Sequence, residues 1–511
     1  MFLATFANSS LFCRSLRALR GGTVTGLFLL ATFVPAQITQ ESEPNNTAAT
    51  ATGPLSAGVF VSGTISGASD VDFFSYLIPG AGRVSVGVHG PAGATFSWIL
   101  RDQNNNVVHQ SNSGGRPELS SFVVPAASQG SLHTIEVRRE SVTGPANSSS
   151  AYDLSIAYIN NSSRPTKPGN ITNYFAGASA DSANQPIGGP AMMIMGGGNE
   201  VDNQFRDLVW PIVNRGNIVV LRTNPSNGYQ NYFNSDIPTL FSPAQTPASV
   251  ETLVIDTVAK ANDAYTSWAV SRAELVWFAG GDQSIYINRW QGTALETAVH
   301  QAYARGAVIG GTSAGAMILG QYIYDPDGVS AVTSSQAINN PYHPSIHQRF
   351  TTNFFRFPIM RDILVETHTQ FHGSNPNRLG RAATFMAYLR TEGIANRPLF
   401  VVGPDDGGGF FIPSSRIGTA QWTRFESWVL TEDQTTTIDR CVSGQPLRYN
   451  GIFYWRAERD RFNTLTQTFD FNNRAFVGGH HMRANVNDNV YTPTDWYYTT
   501  LPVSLSGFAL D

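Results

Sequence analysis

The chain has 511 residues, 41% of them apolar and 11% aromatic, a globular composition whose length predicts roughly two or three domains. Charged residues make up only 14%, well below the average of about 25%. The net charge is −4, and Lys167 and Lys260 are the only lysines, which argues against a basic face for nucleic acid. At the N-terminus, Arg14, Arg17 and Arg20 precede an apolar run over 27–34, and Val34-Pro35-Ala36 offers the small residues a signal peptidase needs. This order predicts a secretory signal over 1–36 and a secreted or periplasmic mature chain. The run is too short to span about 30 Å of hydrocarbon comfortably, and no later stretch reads as a spanning helix. Cys13 leaves with the signal, so Cys441 remains and no internal disulfide is expected.

Residues 41–160 read as short strands punctuated by Gly63, Gly67, Gly80, Gly82, Gly87 and Gly90. Alternation in Arg83-Val84-Ser85-Val86-Gly87-Val88 and in His133-Thr134-Ile135-Glu136-Val137 predicts a β-sandwich. Glu43-Pro44-Asn45-Asn46, Val61-Ser62-Gly63-Thr64-Ile65 and Asp70-Val71-Asp72-Phe73-Phe74 give this stretch its resemblance to the bacterial pre-peptidase C-terminal domain. The resemblance implies a non-catalytic accessory module on an exported hydrolase. Asp70 and Asp72 are candidates for a cation site or, on the plainer reading, for turn capping.

Residues 161–188, rich in Asn, Ser, Pro and Ala, read as a linker. The rhythm then changes over 189–440. Met192-Met193-Ile194-Met195 ends in Gly196-Gly197-Gly198, and Leu275-Val276-Trp277-Phe278-Ala279 ends in Gly280-Gly281. Residues 217–222 and 307–311 are further buried strands, while 249–267, with Ser249 as N-cap, and 293–304 have helical spacing. Continuous apolar strands alternating with helices predict a parallel α/β sheet with its site beyond the carboxyl ends of the strands. Residues 441–511 turn β-rich and aromatic and are assigned to a small C-terminal extension.

Gly311-Thr312-Ser313-Ala314-Gly315 is a G-x-S-x-G placed between a strand and a helix-compatible run, the context of a nucleophile elbow. Ser313 is the candidate nucleophile, with backbone N–H groups at the following helix start available for an oxyanion. A serine needs a base. His368, after the strand-like Ile363-Leu364-Val365-Glu366, is the favoured candidate; His372 competes, and His343 and His347 lie in a Pro-rich loop.

Several ordered blocks resemble the cyanophycinases, within the serine peptidases that include aspartyl dipeptidase. They are Met195-Gly196-Gly197-Gly198, Phe278-Ala279-Gly280-Gly281-Asp282-Gln283, Gly310-Gly311-Thr312-Ser313-Ala314-Gly315-Ala316, Glu366-Thr367-His368, Arg378-Leu379-Gly380-Arg381 and Gly403-Pro404-Asp405-Asp406. The resemblance runs from 191 to roughly 430 and implies a class I glutamine amidotransferase-like sheet, Ser313 as nucleophile and His368 as base, with no cofactor or metal. It further implies oxyanion N–H groups near Gly281 and Ala314, substrate contacts from Gln283, Glu366, Thr367, Arg378 and Arg381, and a homodimer. The implied substrate is cyanophycin or a related aspartyl or isopeptide polymer, whose carboxylates the arginines grip in pairs and whose guanidinium groups Glu366 holds.

The chain departs from the family where Glu366-Thr367-His368-Thr369 stands for the usual D-Q-H-F, and in the longer segment from His368 to Arg378. Gln336 aligns where the family often has a glutamate, making it the candidate to orient His368, with Asp325 or Asp327 as substitutes. Two other readings stand beside the peptidase. One is an α/β-hydrolase-type esterase using His480 or His481 with Asp470; the other is an inactive, peptidase-like surface protein.

Overall fold

A computed structural model describes residues 38–144, 149–369, 378–457 and 467–492 of the chain. The expected signal, with Cys13, and His372 lie outside the described residues. The N-terminal part is a sandwich of two sheets. One orders Thr52–Leu55, Asp72–Leu77, Leu132–Val142, Ala94–Arg101 and Val107–Ser111; the other orders Phe60–Ile65, Ser150–Asn160, Gly82–His89 and Glu118–Val124. Period-two patterning builds the core between them: Val84, Val86 and Val88 of one strand are buried, as are Phe96, Trp98 and Leu100 of another.

The sheet that follows is a run of five parallel strands in the order Ser249–Val254, Asn217–Arg222, Leu275–Phe278, Val308–Thr312 and Ala191–Met195. Every residue of Val308–Thr312 and of Ala191–Met195 is buried, the pattern of strands covered on both faces. Register aligns their ends, with Met195 opposite Thr312 and Phe278 opposite Gly311. The turns after these strands therefore converge. A further sheet pairs Ile363–Val365 in parallel with Phe400–Pro404, with Val365 opposite Val402.

Three segments differ from the sequence expectation. Residues 249–267 are not one helix: Ser249–Val254 is a fully buried strand, and helices Val258–Ala261 and Ala264–Ser271 follow, capped by Thr257 and Asp263. Val250, Thr252 and Val254 are β-branched, and a six-residue buried run has no period that separates helix from strand. Within the expected linker, Thr172–Gly177 pairs antiparallel with Ser249–Val254 and edges the parallel sheet. The C-terminal strands form no separate extension either. Gln467–Asp470 joins the sheet of Ala191–Met195 and Arg448–Arg456 that of Phe400–Pro404, because Trp455, Phe469 and Phe471 are buried in the same core as the central strands.

The sandwich and these sheets belong to one compact unit. Helix Ala294–Ala304 forms much of their seam. Phe60 of the sandwich meets His300 and Tyr303 edge-on, at 5.3 and 5.5 Å between ring centres. His300 Nδ1–H donates to Gly58 O at 3.2 Å and its Nε2 accepts from Arg356 N at 3.3 Å, so the ring is neutral, and burial pushes its pKa down to about 4. No helix among the described residues is long and apolar enough to cross a membrane.

Candidate active site

The turn after Val308–Thr312 is too tight for ordinary residues. A Cβ on Gly311 would lie 2.4 Å from Gly315 O, and one on Gly315 would lie 2.3 Å from Phe278 O. Ser313 occupies the turn's apex at φ 54° and ψ −127°, a region that costs a non-glycine residue about 1–3 kcal/mol. Neighbouring backbone holds it there. Ser313 N–H donates to Met195 O at 3.1 Å, and Ser313 O accepts from Ala316 N and Met317 N. The strain aims the hydroxyl out of the sheet into a cavity of about 730 Å³.

His368 comes from the loop after Ile363–Val365, itself at φ 51°. Its Nε2 lies 2.7 Å from Ser313 Oγ and its Nδ1 lies 2.5 Å from Asp406 Oδ1. With Asp406 ionised, Nδ1 carries the proton and donates to it; Nε2 is then the acceptor and Ser313 Oγ–H the donor. The three side chains are part-buried and follow the ends of three strands, Val308–Thr312 in one sheet and the paired Ile363–Val365 and Phe400–Pro404 in the other.

Two features fix this geometry. Gly197, at φ +130°, lies so close that a Cβ there would sit 2.2 Å from His368 Cε1 and 2.8 Å from Asp406 Oδ1. Asp405 is buried, and its Oδ1 accepts from Thr369 N at 3.1 Å and Asp406 N at 2.8 Å, clamping the histidine loop to the aspartate loop. Trp428 Nε1–H also donates to Thr369 Oγ1 at 2.9 Å, so a hydroxyl anchors the end of the histidine loop. Gly197→Ala is expected to displace the imidazole and lower any turnover that uses it by about 100-fold or more. Circular dichroism and steady-state kinetics check this, with Gly198→Ala as the comparison, because nothing lies closer than 3.4 Å to a Cβ there.

The turn after Leu275–Phe278 closes the other side. Tyr286 Oη–H is shared between Ala279 O at 2.9 Å and Gly280 O at 3.0 Å, and its ring stacks on Trp290. Gly280 abuts Ser313, and Gly281, Gln283 and Ala314 line the cavity with Ser313 and His368. Ala314 is the first residue of the following helical turn, so its N–H has no helical acceptor. Gln283 Nε2–H donates to Tyr324 O at 3.2 Å.

Thr367, Arg378 and Arg381 line the opposite wall. The Thr367 hydroxyl is buried and has no hydrogen-bond partner among the described residues. Arg381 is held by Glu366 at 2.6 and 3.2 Å and donates to Val332 O at 3.0 Å. Arg378 Nη1 donates to Thr367 O at 2.9 Å and reaches Glu366 at 3.5 Å. Burial first, and then the Arg381 charge, pull the Arg378 pKa down.

Two assignments are corrected by this arrangement. Gln336 does not approach His368. It is exposed, and its Oε1 accepts from Thr333 N and Thr333 Oγ1, both at 3.0 Å, while Thr333 caps the helix Ser334–Asn339. Thr333-Ser334-Ser335-Gln336 is an S/T-x-x-Q capping box, a signal present in the sequence. Glu366 is wholly buried beneath Arg378 and Arg381 and holds those two arginines, so it is not presented to a substrate guanidinium. Asp325 is bonded by Thr351 and Asp327 by Asn288, so neither takes the orienting position. Of the esterase candidates, His481 stacks on Phe453 and Asp470 is bonded by Asn472 and Asn473.

In the sandwich, Asp70 serves a turn: it accepts from Ser66 N, Ser66 Oγ and Asn46 Nδ2. Asp72 is buried, accepts from Tyr152 Oη at 2.5 Å, and lies with Glu41 and Glu43 in a group whose carboxylate oxygens fall within 4.8 Å of one another. Burial, with the neighbouring Glu41 charge, pushes the Asp72 pKa up.

Residues 239–354 match the model of Peptidase family S51, a segment that includes Ser313 and ends before His368 and Asp406. The match supports a peptidase hydrolase. Solved structures similar to the chain include a peptidase from an acI-B1 Actinobacterium, 14% identical, covering 51% of this chain and 93% of that one at a TM-score of 0.33. A putative peptidase E protein from Listeria monocytogenes EGD-e is 13% identical and covers 46% of this chain and 98% of its own at 0.30. The pre-peptidase C-terminal domain of the collagenase from Bacillus anthracis is 16% identical and covers 20% of this chain and 89% of its own at 0.16.

Proposed function

We propose that the chain is an exported serine exopeptidase that cleaves cyanophycin or a related aspartyl or isopeptide polymer through an acyl-enzyme on Ser313. The observation that carries this reading is the continuous relay from Ser313 Oγ through His368 to Asp406, at 2.7 and 2.5 Å. Ser313 Oγ attacks the scissile carbonyl carbon as its proton passes to His368 Nε2. The N–H groups of Ala314 and Gly281 stabilise the oxyanion. His368 then gives the proton to the leaving amine. Water, deprotonated by His368, resolves the ester and regenerates Ser313. Asp406 holds the Nδ1–H tautomer and stabilises the imidazolium.

Arg378 supports recognition of a substrate carboxylate, since its Nε and Nη2 have no acceptor among the described residues. Glu366 is committed elsewhere, so a substrate guanidinium falls to Asp282 and Asp327, exposed carboxylates that also line the cavity. Export rests on the order of residues over 1–36.

The test incubates the chain and its Ser313→Ala variant with insoluble cyanophycin and follows β-aspartyl-arginine by mass spectrometry. Product from the wild type alone supports the reading. No product, with Ser313 still labelled by a fluorophosphonate, leaves a hydrolase for another substrate. No product and no label overturns the enzyme reading in favour of an inactive surface protein.

A further inference from the structure

A second cavity, of about 330 Å³, lies at the seam between the sandwich and the peptidase-like sheets, away from Ser313. Both parts of the chain line it. The sandwich contributes Arg116 and Asp153; the sheets contribute Arg361, Asp362 and Arg416. Three guanidinium groups thus meet two carboxylates, and one carboxylate is already taken. Asp153 is paired with Arg361 and also accepts from Ser62 Oγ at 2.8 Å.

The other two arginines are less satisfied. The Nε–H of Arg116 and the Nε–H of Arg416 are buried, and neither has an acceptor. Among the described residues no carboxylate comes within 4 Å ion-pair distance of either. Among the described residues the Arg416 side chain makes one hydrogen bond, from Nη2 to Arg361 O at 2.6 Å. Burial pulls both guanidinium pKa values down; the charge of Asp470 partly offsets this at Arg116, and that of Asp362 at Arg416, where Arg361 and Arg116 act the other way. Burial also pushes the pKa of Asp362 up, and Arg416 and Arg361, which both act on it, share this one carboxylate. His89 on the same wall is half-buried, with its pKa pushed down to about 3 by desolvation, so it supplies no charge there.

A buried N–H without an acceptor is costly, and two of them on like charges that face one cavity are more so. A carboxylate or phosphate group has the planar or tetrahedral oxygens that accept from two guanidinium forks at once. We infer that this seam cavity is a binding site for a small oxyanion, a carboxylate or a phosphate, held between Arg116 of the sandwich and Arg416 of the peptidase-like part. Its ligation from both sides makes the anion a tie between the two parts. The inference does not depend on the chemistry at Ser313.

Calorimetric titration of the full chain with inorganic phosphate, and separately with succinate, at fixed ionic strength tests it. One site per chain is expected for at least one of the probes, with a rise in Tm of about 2 °C or more near saturation. Arg116→Gln and Arg416→Gln are each expected to weaken that binding about tenfold or more, the worth of one lost charge-assisted hydrogen bond. A response to phosphate alone or to succinate alone identifies the source of the oxyanion. If either glutamine variant loses cooperative melting, Arg116→Lys replaces it; this keeps the charge, removes the planar fork, and is expected to bind more weakly than wild type. No heat with either probe, or unchanged affinity in the variants that melt cooperatively, overturns the site.

Discussion

Asp406→Asn is expected to lower kcat by about 10³- to 10⁴-fold while leaving the melting temperature nearly unchanged. The amide keeps the size of the carboxylate and the 2.5 Å approach to His368 Nδ1. It can, however, present an N–H there, which favours the tautomer with the proton on Nε2. That tautomer cannot take the Ser313 proton. Fluorophosphonate labelling of Ser313 slows in parallel, because the same proton transfer activates the nucleophile. Gln336→Ala is the companion measurement. Its side chain closes an exposed capping box, so turnover stays within about twofold and stability falls by about 1 kcal/mol or less. A large activity loss in Gln336→Ala with none in Asp406→Asn would return the orienting role to Gln336.

Glu366→Ala acts on stability. Its carboxylate is fully buried and is the partner of Arg381, itself only 4% exposed. Removing one member of a buried ion pair leaves the other charge uncompensated, a loss of about 3–5 kcal/mol. Denaturant unfolding followed by tryptophan fluorescence is expected to show the unfolding free energy fall by that amount, read as a lower midpoint at unchanged m. The alternative, in which Glu366 grips a substrate guanidinium, predicts a raised KM at normal stability. The double variant Glu366→Met with Arg381→Leu separates burial from charge. It is expected to recover much of the stability, since an apolar pair of similar volume avoids the desolvation penalty.

The nucleophile was legible in the sequence because its constraints are local. Gly311, Ala314 and Gly315 must be small for the turn to close, and a strand must precede it. The sandwich was legible for a similar reason: alternation at 83–88 records a buried face directly. Asp406 was harder to find. Its block, Gly403-Pro404-Asp405-Asp406, stands out, yet nothing local distinguishes Asp405 from Asp406. The difference arises only when Phe400–Pro404 lies beside Ile363–Val365, which turns Asp406 towards His368 and Asp405 into the backbone of both loops. Glu366 was misplaced for a related reason. Its position near the histidine suggests a substrate contact, whereas Arg378 and Arg381, farther along the sequence, close over it and take its carboxylate. The strand Ser249–Val254 was missed because six buried residues fit either period, and strand Thr172–Gly177 because an edge strand needs little apolar content, with burial on one side at most.

Phe60 belongs to the sandwich by chain position and to the central sheets by burial: it is 5% exposed within the same cluster as Phe278, Ile309 and Ala314. Accessory modules are often exchanged between enzymes as cassettes, cut and rejoined at their linkers. Here a cut at 161–188 would unplug an aromatic ring from the layer that backs the nucleophile strand and bare His300 and Tyr303 to water. Separated from the sheets, the sandwich is therefore expected to lose stability, and the sheets with it, because each would expose aromatic surface that the other now covers.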